Sequence, residues 1–365
     1  MEPTIHSTES PTTATNSTIF QGRVQFGGQA GEFFGIWIVN ILLSILTLGI
    51  YSAWAKVRTY RYFYSNTRID GHSFDYLATP IQILKGRILA VVVFVIYSLV
   101  VQLLPLIGLL FALGFLFAMP WIINQGLRFN MRMTRHRNVR FAFAGNYGDA
   151  LINFVLLPIA SVFTLYLLLP YALKRMDQYL HENISYGNKA INVNLKGETY
   201  YMAALITIGV AIAGLVIFGI FVGISGVAMG LGNIDSDNLN VSTILFPVLI
   251  IAFYIAFLTL ISAVYQSIIR NHIFNSSEFD DVASFKSDLK AVDYGILLFT
   301  NALAIIFSLG MAYPWAKIRK ARLLAKATEV TVYTGALAII DTAQQQQSSF
   351  AEEAANVFDI DISLT

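Results

Sequence analysis

Two stretches of the chain place an indole, a lysine and two arginines in one short interval: "YSAWAKVRTYR", Tyr51 to Arg61, and "AYPWAKIRKAR", Ala312 to Arg322. Side chains of these types hold anions at membrane surfaces. Ammonium and guanidinium groups meet phosphate or carboxylate oxygens, and an indole seats an apolar ring with a wet N–H at the interface. Lys56, Arg58, Arg61, Lys317, Arg319 and Arg322 are therefore the candidate lipid- or anion-binding residues. Trp54, Trp121, Tyr171 and Trp315 are the candidate interfacial anchors. A plainer use exists for the same residues, because Trp and Lys commonly mark the point where a helix leaves a bilayer.

Little else in the chain points to chemistry. There is no Cys, which removes disulfides, thiolate metal sites and cysteine nucleophiles together. His6, His72, His136, His181 and His272 are scattered without metal-ligand spacing, so no metal site is expected. No nucleophile elbow, phosphate loop or dinucleotide fingerprint occurs, so neither an enzyme nor a cofactor is expected.

The elements that must position the basic clusters are written in the composition. The chain has 365 residues, of which 56% are hydrophobic and 13% charged, with a mean hydropathy of +0.62. Soluble domains are about a quarter charged; this chain needs a different solvent. Seven runs without any Asp, Glu, Lys, Arg or His supply it: Phe33–Trp54, Ile88–Leu104, Leu106–Ile123, Leu151–Tyr171, Tyr201–Met229, Ile244–Tyr265 and Tyr294–Pro314. With no ionisable group inside these runs, a proton-driven pump is disfavoured.

All 24 Lys and Arg lie outside the runs, and the interval Leu231–Thr243 has none while holding Asp235 and Asp237. The positive-inside rule puts the basic intervals and both termini in the cytoplasm and Asp235 outside. Runs 201–229 and 244–265 then form one out-and-back pair, and Pro105 splits residues 88–123 into another. The other three runs, 33–54, 151–171 and 294–314, stand singly, and basic residues flank the last two on both sides. Either they cross singly, which puts Lys174, Arg175, Lys189 and Lys196 outside, or, as is favoured, they enter and leave on the cytoplasmic side as bent or re-entrant segments, with Asn40, Pro158, Asn301, Gly49 and Gly310 as candidate breaks.

The pattern repeats. A shift of 261 superposes Asn40 on Asn301, Leu48 on Leu309, Gly49 on Gly310, Trp54 on Trp315, Lys56 on Lys317, Arg58 on Arg319 and Arg61 on Arg322. Weaker copies surround Trp121, Tyr171 with Arg175, and Tyr265 with Arg270 and Asn275. Each is an apolar segment, an aromatic, a basic extension and a short alternating stretch: "HSFDYLA", "VRFAFAG", "INVNLKG" and "TVYTGAL". The expected fold class is mainly α: a polytopic helical membrane protein built from about five degenerate repeats, with short β-strands forming a small cytoplasmic sheet. Residues 1–20 are expected as a disordered polar tail, 21–340 as the repeat-built domain and 341–365 as an acidic segment. The alternating "VFDIDISL", Val357 to Leu364, is a candidate further strand.

The stretches "LTLGIYSAWAKVR", "NTRIDGHSFDYLATP", "ILKGRI" and "FAFAGNYGDA", with the "FDIDISL" ending, resemble the YjgN-like family of bacterial inner-membrane proteins, a domain of unknown function. The resemblance runs from about Phe20 to the C-terminus and implies a multi-span protein of a Gram-negative inner membrane. It implies no activity.

Two functions follow as expectations. One is a passive transporter or lipid-handling protein, its basic residues forming a cytoplasmic vestibule for anionic membrane lipids. The other is a non-catalytic scaffold that organises lipids or a protein partner at the cytoplasmic face. A nucleic-acid partner is not expected.

Overall fold

The computed structural model describes residues 17–228 and 241–345. Asp235 and the "VFDIDISL" stretch, expected as an outward loop and a further strand, lie outside the described residues.

Two kinds of helical unit alternate along the chain. In the first kind, two long helices go out and back: Pro80–Leu103 with Pro105–Arg132, and Gly197–Ala228 with Val241–Asn275. These four helices are long and apolar enough to cross a membrane. At most 11% of any apolar window among them is buried inside the protein, so their flanks need hydrocarbon around them. Pro105 starts its helix directly after Leu104, as its missing N–H and fixed φ allow.

The second kind is a short hairpin, occurring three times. Ala30–Leu46 returns as Ser52–Asn66, Tyr147–Phe163 as Leu169–Glu182, and Ala291–Phe307 as Tyr313–Lys326. Each outgoing helix has 17 residues, about 25 Å, against the roughly 20 residues that a crossing requires.

The three turns share one construction. An amide reaches back five residues at the end of the first helix: Gly49 to Ser44 O, Tyr166 to Ser161 O and Gly310 to Ile305 O, each 2.7 Å. This is the wrap-around bond of a left-handed helix cap. Its left-handed residues are Leu48 and Gly49, Leu165 and Tyr166, Leu309 and Gly310, with φ between 49° and 91°. A hydroxyl then caps the returning helix: Thr47 accepts from the Tyr51 amide, Thr164 from Leu168 and Ser308 from Ala312. The turns therefore satisfy much of their backbone polarity internally, as hydrocarbon demands. Leu48, Leu309 and Leu165, at 95%, 93% and 84% exposure, stand out at the tips. Water would penalise such exposure by about 1.5–3 kcal/mol per residue.

The breaks thus fall at Gly49 and Gly310, not at Asn40, Pro158 or Asn301. Asn40 and Asn301 sit inside continuous helices. Pro158 follows a single π-turn, Ile152–Leu156, that widens its helix without ending it.

Each returning helix runs into a short strand. β3 (Thr67–Ile69) pairs with β4 (His72–Tyr76), β5 (Thr134–His136) with β6 (Val139–Phe143), β7 (Ile184–Tyr186) with β8 (Lys189–Ala190), and β10 (Ser277–Phe279) with β11 (Ala283–Ser287). β12 (Thr328–Tyr333) pairs with β1 (Thr18–Arg23), so the last strand meets the first. The two sheets have the orders β1-β12-β11-β10-β9 and β2-β3-β4-β5-β6-β7-β8. They are joined twice. Only Val24 separates β1 from β2 (Gln25–Phe26), and only Ile191 separates β8 from β9 (Asn192–Val193). The antiparallel ladders consequently follow one another in a closed circuit through these two near-continuous strands.

The interior of the ring is apolar, with Val139, Tyr186, Phe279, Val282, Ala283 and Val330 buried. Residues 335–345 are helical, and Ala336, Ile339 and Ile340 pack into the same core. The helices follow the same circuit. Each packs against its chain neighbours, and Tyr313–Lys326 packs back against Ala30–Leu46.

Several sequence expectations change here. β1 begins at Thr18, inside the stretch expected as a polar tail. In "TVYTGAL" the strand ends at Tyr333, and Gly335 to Leu337 are helical. The first strand of every hairpin was not expected, because three residues show no measurable period. Phe143 is buried against Tyr179, whereas Phe74 and Phe141 line the inside of the ring.

One titratable group belongs to this core. His136, on β5, stacks on Phe74 at 4.5 Å, and its Nε2 is buried without a partner. Burial pushes its pKa down from 6.5 to about 4, with Arg137 and His72 adding to the shift and backbone hydrogen bonds opposing it. The folded state therefore binds fewer protons than the unfolded one. Its stability is complete above pH 6.5 and falls as pH drops through the interval to about 4. Thermal unfolding should show a loss of about 2 kcal/mol between pH 7 and pH 5 that His136→Phe abolishes. Equal losses in both proteins would place the acid sensitivity elsewhere.

Candidate functional site: a cationic cavity between the first and last hairpins

Closure of the circuit sets the first hairpin against the last, and a cavity of about 550 Å³ lies between them. Its walls include Phe33, Trp37, Tyr60 and Tyr313, its polar lining includes Asn40, Ser44, Ser52 and Thr59, and its cations are Lys56 and Lys317. Among the described residues, no carboxylate lines it and neither lysine is ion-paired. Lys317 Nζ lies over the rings of Phe63, Phe33 and Tyr313 at 4.9, 5.6 and 5.8 Å. Lys56 Nζ lies 5.6 Å over Tyr60. Ring faces hold an ammonium but leave its N–H donors open to a ligand. Aromatic walls with two unpaired cations suit an amphiphilic anion.

The other four candidate cations do different work. Arg61 donates to Tyr76 O and Ala78 O at 3.4 and 3.2 Å, which ties the first returning helix to the end of β4. Arg322 donates to Gly28 O at 3.1 Å, across the junction of first and last hairpins. Arg319 donates to Asn301 Oδ1 at 2.9 Å and Thr300 Oγ1 at 3.0 Å while stacking 4.4 Å over Trp315. Arg58, its counterpart in the first copy, is exposed.

The aromatic candidates also shift position. Trp54, Tyr171 and Trp315 follow the turns and open the returning helices, so they do not end a crossing. Trp54 stacks on Tyr51 at 6.1 Å. Trp121 lies within Pro105–Arg132 and is 57% exposed.

Sequence reasoning took Asn40 as a candidate break and missed its place in the cavity lining beside the two lysines. Asn40 is 5% exposed, and its Oδ1 has no hydrogen-bond partner. Its Nδ2 reaches Ala55 O at 3.4 Å and Thr59 Oγ1 at 3.5 Å. In the last copy, Asn301 makes the corresponding bond to Ala316 O at 3.1 Å, and Arg319 satisfies its oxygen. Arg87 adds a third cation at the rim by donating to Ser52 Oγ. The only signal for Asn40 was its repetition at position 301.

A second polar pocket of about 340 Å³ joins Asp177, His181, Gln266, Arg270 and Lys320. It contains a carboxylate, to which Tyr200 donates at 2.8 Å. Its charges are thus partly compensated from within, unlike those of the first cavity.

A largely helical chain with small antiparallel sheets and four exposed apolar helices long enough to cross a bilayer is a membrane protein. Residues 21–357 match the family described as "Bacterial protein of unknown function (DUF898)", and the chain belongs to that family. It is 26% identical over 372 residues to the Inner membrane protein YjgN of Escherichia coli O157:H7, covering 89% of this chain and 92% of that one. It is 27% identical over 351 residues to the Inner membrane protein YjgN of Salmonella typhimurium, covering 84% and 87%. No solved structure matches the chain.

The two copies of the junction make unequal demands on their arginines. Arg319→Gln removes a charge-assisted bond to a buried amide and a cation–π contact, and should cost about 1.5–3 kcal/mol. Arg58→Gln should change stability by less than about 0.5 kcal/mol, as an exposed substitution does. Thermal or denaturant unfolding of the two purified variants measures both, and equal effects would refute the difference between the copies.

Proposed function

We propose that the protein is an inner-membrane protein that takes up an anionic lipid between its first and last hairpins and eases its passage between leaflets. The observation that carries this reading is the meeting of Lys56 and Lys317 in one cavity without a carboxylate. The short hairpins support it. Their tips end where the long pairs continue, so the cavity lies beside shallow units that lipid can border. Passage is downhill, because the apolar runs carry no ionisable group for coupling.

In this reading the chain is five degenerate copies of one unit around an axis. The strand ring and both termini are cytoplasmic, where the basic intervals belong by the positive-inside rule. The inner-membrane location is carried over from the names of the relatives.

Vesicles holding the protein and a headgroup-labelled anionic lipid test the passage, with a membrane-impermeant quencher reading the outer leaflet. The quenched fraction should rise beyond half in a protein-dependent way. Each cation contributes on the order of 1 kcal/mol toward an anionic headgroup, so Lys56→Gln with Lys317→Gln should weaken lipid affinity roughly 30-fold. A quenched fraction equal to that of protein-free vesicles would leave the scaffold reading, in which lipid is bound and not moved. Orientation is testable because the chain has no Cys. Ser65→Cys and Ser185→Cys should react with an impermeant maleimide in inverted vesicles only.

A further inference from the structure

Asp177 and Arg270 hold the same place relative to the strands they lead into, with opposite charges. Asp177 stands seven residues before Ile184, where β7 begins, and Arg270 seven before Ser277, where β10 begins. Both are half-buried and line the polar pocket of about 340 Å³, to which Lys320 adds a second cation from the last returning helix. Among the described residues no ion pair joins the carboxylate to either cation. Arginine cannot shed its charge, and enclosed charges are normally paired. Opposite charges that share a cavity without meeting leave room for a ligand that meets both.

The groups required are open to such a ligand. Arg270 lies 4.3 Å over the Phe274 ring and donates from Nη2 to Thr328 Oγ1 at 2.8 Å. Its Nε is sealed, but among the described residues Nη1 is neither bonded nor sealed. Lys320 Nζ lies 5.6 Å over the Tyr294 ring, which leaves its N–H donors free. One Asp177 oxygen accepts from Tyr200, and the other is open. A bare anion would sit against Asp177, and a bare cation against Arg270 and Lys320, at a like-charge cost. We propose that this pocket is a second binding site, for a ligand that joins an ammonium to a phosphate by a short chain. The ammonium lies at Asp177 and the phosphate between Arg270 and Lys320. Phosphate oxygens point in several directions and so can reach cations on two helices. The volume is near the lower end of ligand pockets, about 300–1,000 Å³, and so suits a small headgroup. Phosphoethanolamine has this chemistry free, and phosphatidylethanolamine carries it on a lipid. The site stands independently of the anionic-lipid cavity, which has no carboxylate to hold an ammonium.

The full chain in detergent is titrated calorimetrically with phosphoethanolamine, inorganic phosphate and ethanolamine, and bound phosphatidylethanolamine is counted by native mass spectrometry. Phosphoethanolamine should bind about tenfold more tightly than either of its parts, as one added charge-assisted contact allows. Asp177→Asn keeps an oxygen for Tyr200 and removes the charge. It should bring phosphoethanolamine down to the affinity of phosphate and leave phosphate no weaker, whereas Lys320→Gln should weaken both. Lys56→Gln with Lys317→Gln should change neither. A preference in the free-ligand arm assigns the soluble ligand, and an Asp177-dependent loss of bound phosphatidylethanolamine assigns the headgroup. Absence of both overturns the proposal, and so does a preference that survives Asp177→Asn or disappears with Lys56 and Lys317. If Asp177→Asn fails to assemble, the wild-type preference and its response to Lys320→Gln remain decisive.

Discussion

The pairing of β1 with β12 is the contact on which the rest depends. It joins residues more than 300 positions apart, in a register running from Thr18 opposite Tyr333 to Arg23 opposite Glu329. Every other strand pair joins strands that are consecutive in the chain. This one turns an open row of hairpins into a ring. By the same act it brings the last helical hairpin against the first, and the cavity holding Lys56 and Lys317 exists only in that contact. Arg23 reinforces the closure through two bonds to Asp288, at 2.9 and 2.7 Å. Loop-closure entropy opposes such a non-local join, but each doubling of separation adds only about 0.6 kcal/mol. The gain is a partner for β1 along the edge of β12 and the completion of an apolar core.

Solvent imposes the second constraint. Hydrocarbon offers no hydrogen bonds, so a chain that turns within it must carry its own partners. The three hairpin tips do so with one device, a back-reaching amide followed by a capping hydroxyl, although their sequences are "TLGIY", "TLYLL" and "SLGMA". The shared requirement is a left-handed pair of residues after a Thr or Ser. Glycine is the easy choice at the second position, and Tyr166 shows that the turn survives without it. The long pairs need no such device, since Leu104 and Pro105 turn between two complete helices.

Much of this was legible from residue types, and the failures have identifiable causes. The seven uncharged runs marked every apolar helix, and the shift of 261 marked the corresponding positions of the first and last hairpins, because composition and spacing survive in a linear string. The tip positions were recoverable only as alternatives, since Gly49, Asn40 and Pro158 are all plausible breaks and the deciding hydrogen bonds are local geometry. Trp54 and Trp315 misled about helix ends. An aromatic beside a basic cluster reads as the close of a crossing, whereas here it opens a returning helix. The short first strands of the β-hairpins were invisible, and so was ring closure, because neither leaves a period long enough to detect.

The candidate site was legible in its cations and illegible in its selectivity. All six basic residues look equivalent in the repeat, yet Arg61 and Arg322 hold backbone carbonyls and Arg319 holds Asn301. What separates Lys56 and Lys317 from these three is that, among the described residues, neither lysine is ion-paired and both lie over aromatic rings. Divergence between the copies completes the distinction. The oxygen of Asn301 is paired by its arginine and that of Asn40 is not, although the two sequences match at Asn, Trp, Lys and both Arg. A pseudo-symmetric scaffold would otherwise offer equivalent sites around its axis. The outward placement of Arg58 leaves Asn40 Oδ1 unpaired, so one position of the repeat carries two different environments in its two copies.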